Sequence, residues 1–78
     1  MKEEQARHNF SRRLRQLREG AELGARELSR ELGLTSLTLI YHYEIGRQVP
    51  RLGTLLKICD YFSVTPDELF GYKPLSKL

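Results

Sequence analysis

The sequence predicts an all-α domain of five short helices, and three observations support this fold class. Apolar residues recur at three- and four-residue steps along most of the chain, which is the spacing of one helix face. Glycine, proline and threonine stand between these stretches, where helices end and begin. The two-residue alternation of a half-buried strand is not sustained anywhere in the 78 residues. A chain of this length, 40% apolar, suits one core and one domain.

Apolar positions define the individual helices. The five predicted helices span residues about 4–19, 25–32, 36–44, 52–62 and 66–70. Apolar residues at helical spacing mark the inward faces of the first four: Phe10, Leu14 and Leu17, then Leu28 and Leu32, then Ile40, then Leu52, Leu55, Cys59 and Phe62. Each helix is therefore expected to be amphipathic and to bury one side.

Small and hydroxyl residues predict where these helices begin and end. Gly20 suits the end of the first helix, and Gly33 suits the end of the second because glycine accepts a left-handed conformation. Thr35 is predicted to cap the start of the third helix. Gly46 and Pro50 bracket the loop that follows it.

The fifth helix has the clearest start signal in the chain. The stretch Thr65-Pro66-Asp67-Glu68 places a hydroxyl at the N-cap, proline at the first helical position and glutamate at the third. This is a capping box in which the missing proline N–H costs nothing. A helix starting at residue 66 is therefore predicted.

Charge and cysteine content limit the classes of protein. The chain carries 13 Lys and Arg against 10 Asp and Glu, and residues 1–20 hold six of the cations against three glutamates. A basic stretch of this kind suits a polyanion or a solvated helix face. The lone Cys59 excludes an internal disulfide and favours a reducing compartment. Without an apolar run near Met1 or one of about 18 residues elsewhere, a cytoplasmic protein with no membrane partner is expected.

A helix ending at Leu32-Gly33-Leu34 and followed by a second short helix has helix-turn-helix spacing. Further markers extend this pattern over residues 10–70: Leu17-Arg18, Leu23, Leu28, Ile40, Tyr43-Glu44-x-Gly46-x-x-x-Pro50, Thr54-Leu55-Leu56-Lys57-Ile58-Cys59, Val64 and Glu68-Leu69. Together they resemble the Cro/C1-type helix-turn-helix family. The resemblance implies a lambda-repressor-like, five-helix domain over residues 1–78, with a tail at 71–78. It also implies a repressor-like transcriptional regulator that binds double-stranded DNA through a recognition helix at residues 36–44 in the major groove.

The bases would be read by the outward side of that recognition helix. With Ile40 placed inward at 100° per residue, the residues that point near the core are Ser36, Tyr43 and Glu44. Those that point away are Thr38, Tyr41 and His42, and Leu37 lies at the border. Outward residues near the start of the helix are the ones that reach base edges. The predicted base-reading residues are Ser36, Leu37, Thr38, Tyr41 and His42. Hydroxyl groups can bond either base-pair type, and Leu37 can pack on a thymine methyl.

Phosphate contacts are expected from the loop after the recognition helix. By resemblance, Arg47 and Gln48 pass along the DNA backbone, and Arg51 lies at the start of the fourth helix. Arg26, near the start of the second helix, is a further phosphate candidate. The alternative for each arginine is an ordinary solvated side chain.

A structural ion pair is also implied by the resemblance. Arg18 near the end of the first helix and Glu44 after the recognition helix occupy the two positions that often pair in relatives. We expect this pair to fix the tilt of the recognition helix.

The sequence departs from the family pattern in the spacing and in the composition of the recognition helix, and the composition supports a second function. Gly33 to Glu44 takes twelve positions, one more than usual, so an extra residue lies in the turn or at the start of the recognition helix. Residues 35–43 contain no Lys, Arg, Asn or Gln, the side chains that read guanine and adenine in pairs of hydrogen bonds. The alternative function is a protein-binding module, such as an antitoxin or anti-repressor, that uses the apolar side of this helix.

The tail predicts an oligomeric state. Phe70, Tyr72 and Leu75 are predicted to form a homodimer contact, with Leu78 adding to this apolar tail, because such domains usually bind palindromic operators as two-fold dimers. The alternative is that these side chains fold back and cover their own core.

Catalytic and metal sites are not indicated. No nucleophile, second carboxylate or glycine-rich loop accompanies His42, so no enzyme activity and no small-molecule substrate are expected. His8, His42 and Cys59 lack zinc-site spacing, so neither a metal nor another cofactor is predicted. Cys59 shares the apolar face of the fourth helix, and we expect an inert core thiol.

Overall fold

The computed structural model describes residues 1–76, and within them the chain forms five helices and no strands. The helices are α1 (Glu3–Gly20), α2 (Ala25–Glu31), α3 (Leu39–Glu44), α4 (Leu52–Phe62) and α5 (Pro66–Phe70). The all-α, five-helix prediction is therefore confirmed. In this described part no helix is both long and apolar enough to cross a membrane.

Four helices lie within one residue of their predicted bounds, and the third does not. The prediction of a helix over residues 36–44 capped by Thr35 was wrong, because α3 begins only at Leu39. The Ser36 hydroxyl accepts a hydrogen bond from the Thr38 N–H at 3.2 Å and pairs with the Thr38 hydroxyl at 2.9 Å. Such local side-chain bonds compete with helical hydrogen bonding. Residues 36–38 therefore form a turn before the helix.

The core is built around α1, which packs against α3 and α5. Phe10 is fully buried, and its ring lies 6.2 Å from that of Tyr43 and 5.5 Å from that of Phe70. The buried apolar residues are Phe10, Leu14, Leu17, Leu28, Leu32, Ile40, Tyr43, Ile58, Cys59, Val64 and Leu69. Residues from all five helices thus share one core.

The structure tests one predicted helix end, at Gly33, and one residue predicted to face inward, Leu52. Gly33 has a φ of +66°, so the left-handed end predicted for the second helix is confirmed. Leu52 was expected to face inward, but it is 69% exposed. At 100° per residue, Leu52 lies at the edge of the α4 face that Ile58 and Cys59 bury.

The tail of the described chain lies against α1. The Asn9 side-chain amide donates to the Phe70 carbonyl at 3.1 Å, and Arg13 donates to the carbonyls of Glu68 at 2.5 Å and Lys73 at 2.6 Å. Gly71 ends α5 with a φ of +94°, and a Cβ there would overlap the Asn9 side-chain amide. Only glycine fits this position without displacing α1 side chains.

These contacts bear on the predicted dimer residues. Phe70 and Leu75 pack against this chain's own core, which is the alternative given for the tail. The side chain of Tyr72 is 62% exposed. Leu78, the last apolar residue of the tail, lies outside the described residues.

Candidate nucleic-acid interface

The helix that follows the turn, α3, is too short to be stable by itself. It contains six residues, fewer than two turns, and isolated helices of that length do not persist in water. Two of its side chains, Ile40 and Tyr43, are buried against α1 and α2, as the helical geometry predicted for Tyr43. Burial raises the pKa of the Tyr43 phenol. Tertiary contacts therefore hold α3 in place.

An ion pair fixes the C-terminal end of α3. Arg18 Nε donates to one Glu44 oxygen at 2.7 Å and Arg18 Nη2 to the other at 2.9 Å, while Nη1 donates to the Leu23 carbonyl at 2.7 Å. The side chains are only 14% and 7% exposed. The hydrogen bonds to Glu44 raise the pKa of the Arg18 guanidinium. The structure thus brings the two predicted partners together in a bidentate arrangement.

Two serine hydroxyl groups also contact the ends of α3, and sequence reasoning missed both. Ser11 on α1 donates to the Tyr43 carbonyl at 2.7 Å. Ser29 on α2 is fully buried and accepts from the Ile40 N–H at 3.5 Å. In the sequence, Ser29 directly follows Leu28, which lies on the inward side of α2, and this position could have predicted a buried hydroxyl. A buried hydroxyl needs a hydrogen-bond partner.

The structure divides the predicted base-reading residues into two groups. Ser36, Leu37 and Thr38 lie in the turn before α3, whereas Tyr41 and His42 lie on the helix. Thr38 is exposed, and the Tyr41 side chain is 55% exposed. The rings of Tyr41 and His42 have centroids 5.9 Å apart. The outer side of the turn and helix thus offers hydroxyl and aromatic groups without a cation.

The predicted phosphate-binding residues of the loop border α3. The Arg47 N–H donates to the His42 carbonyl at 3.0 Å, which places the loop directly after the helix. Gln48 and Arg51 line a cleft of about 270 Å³ between α3 and the start of α4, and Thr35 lines it as well. Arg51 is the N-cap residue of α4. The structure therefore brings Gln48 and Arg51 to one cleft.

The guanidinium groups of this region are not paired with any carboxylate of the described residues. Arg47 and Arg51 are exposed, and so is Arg26 at the start of α2. Within residues 1–76, none of the three takes part in an ion pair. Unpaired arginines beside an exposed helix are suited to bind an anion such as phosphate.

Other chemistry has little support in the structure. Cys59 is buried in the core, as predicted, and burial raises the pKa of its thiol, which disfavours the reactive thiolate. Glu44, beside His42, is occupied by Arg18. Among the described residues, no three His, Cys, Asp or Glu side chains form a metal-binding group.

The sequence of the chain is similar to those of known helix-turn-helix proteins. A family model described as a helix-turn-helix domain matches residues 9–69. The chain is 38% identical over 69 residues to the HTH-type transcriptional activator BcrR of Enterococcus faecalis. The match covers 88% of this chain but 33% of the relative, so the chain spans about a third of that protein's length. No solved structure matches the chain significantly. From the family match and the α2-turn-α3 geometry, this chain belongs to the helix-turn-helix domain family.

Proposed function

We propose that this chain binds double-stranded DNA in a sequence-specific manner and regulates transcription. In this proposal α3 and the turn before it enter the major groove, where Thr38 and Tyr41 face the base edges with Ser36, Leu37 and His42 beside them. Arg47, Gln48 and Arg51 bind phosphates on one side of the groove, and Arg26 binds them from α2.

The observation that carries the proposal is the exposed outer side of α3, at Tyr41, and the arginines that border it. Arg47 follows the helix directly, and Arg51 lines the cleft beside it. Neither guanidinium forms an ion pair within residues 1–76. Phosphate contacts supply much of the affinity of proteins for DNA. A helix bordered by arginines is therefore better suited to bind a nucleic acid than an uncharged partner.

The first experiment is the selection of bound sequences from a randomised duplex pool at low and moderate salt. We expect one sequence family to be enriched and binding to weaken as salt rises. Tyr41→Ala should change which bases are enriched. Arg51→Gln should weaken binding to all sequences and reduce the salt slope by about one. Arg15→Gln is the matched control, because Arg15 is an exposed α1 arginine paired with Glu19.

The regulator is further proposed to be a homodimer on a palindromic operator. Enrichment of an inverted repeat with half-sites about 10 base pairs apart would support this, and a single half-site would contradict it. Sedimentation of the Tyr72→Ala variant tests whether the tail forms the dimer contact. Leu52→Asn is the comparison, because Leu52 on α4 is 69% exposed and belongs to a different surface. If only the Leu52→Asn variant dissociates into monomers, the dimer contact lies on α4 and not on the tail.

Repression by promoter occupancy is the mode of regulation that this domain supports most directly. Occupancy needs only a DNA-binding surface, whereas activation also needs a surface that recruits the transcription machinery. The relative BcrR is named an activator, so activation is the alternative. A reporter carrying the enriched sequence within its promoter distinguishes the two, because its output falls with a repressor and rises with an activator.

A second function, a protein-binding module such as an antitoxin or anti-repressor, is favoured by one observation. Besides Tyr41, the apolar side chains of Ile45 and Val49 after α3 are 51% and 43% exposed. Such side chains suit a protein interface. Failure to bind any duplex at either salt would favour this second function.

A further inference from the structure

The backbone of α3 depends on side chains from other helices. A six-residue helix leaves most of its first N–H and last C=O groups without helical partners. Its N-cap residue, Thr38, makes no capping bond to α3 within the described structure, because its hydroxyl is bonded to Ser36. At the end of α3 the N–H groups of Gly46 and Arg47 donate to helix carbonyls at 3.2 and 3.0 Å. Side chains of other helices add further hydrogen bonds at both ends.

Ser29 serves the N-terminal end of the helix. Its hydroxyl is fully buried where α2 packs on α3, and the Ile40 N–H points toward it at 3.5 Å. A serine is small enough for two helices to approach closely, and it offers an acceptor to a backbone group that would otherwise be buried unbonded. Removing this oxygen leaves the Ile40 N–H without a partner.

Ser11 serves the C-terminal end of the helix. Its hydroxyl donates to the Tyr43 carbonyl at 2.7 Å, the usual length of an O–H···O hydrogen bond. The next residue, Glu44, is the one that Arg18 holds. Ser11 and Arg18 are separated by two turns of α1, so this helix holds the end of α3 at two points.

We propose that Ser11 and Ser29 are positioning residues that set the placement of α3 on DNA. Burial of Ile40 and Tyr43 holds α3 to the core, but apolar contacts have little directionality and allow small rotations and shifts. Hydrogen bonds from two different helices, one at each end, remove this freedom. The inference rests on the proposed DNA-binding function, because the placement matters where α3 meets the bases.

The test compares Ser11→Ala and Ser29→Ala with the wild-type chain. Affinity is measured for the enriched duplex and for a scrambled duplex of equal length, below the melting range of each variant. Losing a neutral hydrogen bond should weaken binding to the enriched duplex by about 3- to 10-fold. The scrambled duplex should lose less, because phosphate contacts tolerate small shifts of the helix. Ser11→Thr, which keeps the hydroxyl, should restore affinity.

The control variant is Gln16→Ala, which removes an exposed polar side chain from α1, the helix that carries Ser11. It should bind both duplexes like the wild type. Equal affinities for wild type and both alanine variants would overturn the proposal. Equal losses on the two duplexes would also overturn it, since they indicate a general loss of structure.

Amide hydrogen exchange without DNA separates this proposal from the proposed function. If the wild type enriches no duplex, the DNA-binding proposal fails, but exchange still reports on the serines. Faster exchange in Ser11→Ala confined to α3 and its flanking turns would support the positioning role. Exchange that is unchanged, or raised evenly over α1 to α5, would overturn it.

Discussion

The helices α3 and α5 are similar in length but differ in what holds them. They contain six and five residues, and each begins after a threonine. The Thr65 hydroxyl accepts from the Glu68 N–H at 3.2 Å, and the Glu68 carboxylate accepts from the Thr65 N–H at 3.0 Å. The Thr38 hydroxyl instead bonds with Ser36, outside the helix.

The start of α5 is therefore specified by its own residues, whereas α3 depends more on the helices that pack against it. Both helices are followed by a glycine of positive φ, Gly46 and Gly71, but only α5 has a capping box and a proline at its first position. α3 is held by Ser11, Arg18 and Ser29 from α1 and α2. A helix that is to read a ligand benefits from such external support, because its own outward side chains remain free for contacts. Four predictions test this comparison.

The largest effect is expected at the ion pair that holds α3. Arg18→Ala or Glu44→Ala should lower the free energy of unfolding by about 3 kcal/mol, because either change leaves a largely buried charge unpaired. Urea denaturation monitored by circular dichroism measures this loss. Arg15→Ala is the control, since the exposed Arg15–Glu19 pair at 3.2 Å should contribute less than about 0.5 kcal/mol. Similar losses for Arg15 and Arg18 would contradict the proposed support of α3.

The glycines that follow the two helices should respond unequally. Gly46 after α3 and Gly71 after α5 both have positive φ, so an alanine costs about 1–2 kcal/mol at each position. At Gly71 the new Cβ also collides with Asn9 and displaces its bond to Phe70, which adds about 1 kcal/mol. At Gly46 the nearest atom is the Ser11 hydroxyl at 4.0 Å. Chemical denaturation of Gly46→Ala and Gly71→Ala measures the difference, and equal losses would contradict the close contact at Asn9.

Substitution of the two threonines is the direct test of the comparison. Thr65→Ala should reduce stability by about 1 kcal/mol, because it removes an N-cap hydrogen bond. Thr38→Ala should change the free energy of unfolding by less than about 0.5 kcal/mol, as is usual for an exposed residue outside such a bond. Thermal unfolding of both variants under one set of conditions measures this. A loss at Thr38 as large as that at Thr65 would show that α3 has a local cap after all.

The smallest effect is expected in the pH dependence of stability, through the Glu68 carboxyl. Hydrogen bonding from the Thr65 backbone lowers the pKa of the exposed Glu68 carboxyl below its ordinary value of 4.5. A lowered folded pKa stabilises the protein above the unfolded value and loses this contribution as pH falls through the folded one. Glu68→Gln should therefore unfold at a lower temperature than the wild type at pH 7, and the gap should narrow below about pH 4.5. Melting curves between pH 7 and 3 measure the gap, and a constant gap would argue against a charged cap on α5.

The sequence predicted most of the fold because most helix ends are encoded locally. The bounds of α4 and α5 match the predictions, and Gly33 ends α2 in the left-handed conformation expected of it. The start of α3 was predicted three residues too early. Thr35 resembles an N-cap in isolation, but bonding between Ser36 and Thr38 makes a turn there instead.

The candidate site divides in the same way. Charge, spacing and family resemblance were enough to identify α3 and its loop, including Arg47 and Arg51, since these depend on residue type and order. Ser11 was not identified, because its partner is a backbone carbonyl 32 residues away. Backbone groups carry no sequence signal, so only packing shows which side chain reaches them.

Composition and periodicity by themselves determined a five-helix, single-core domain with a basic surface, because apolar spacing and capping residues act within a few positions of the chain. The tertiary structure decided where α3 begins, which side chains hold it, and that Phe70 and Leu75 cover their own core. These features depend on contacts between residues distant in sequence. Such contacts form only when helices pack, and α1, which lies between α3 and α5, provides most of them.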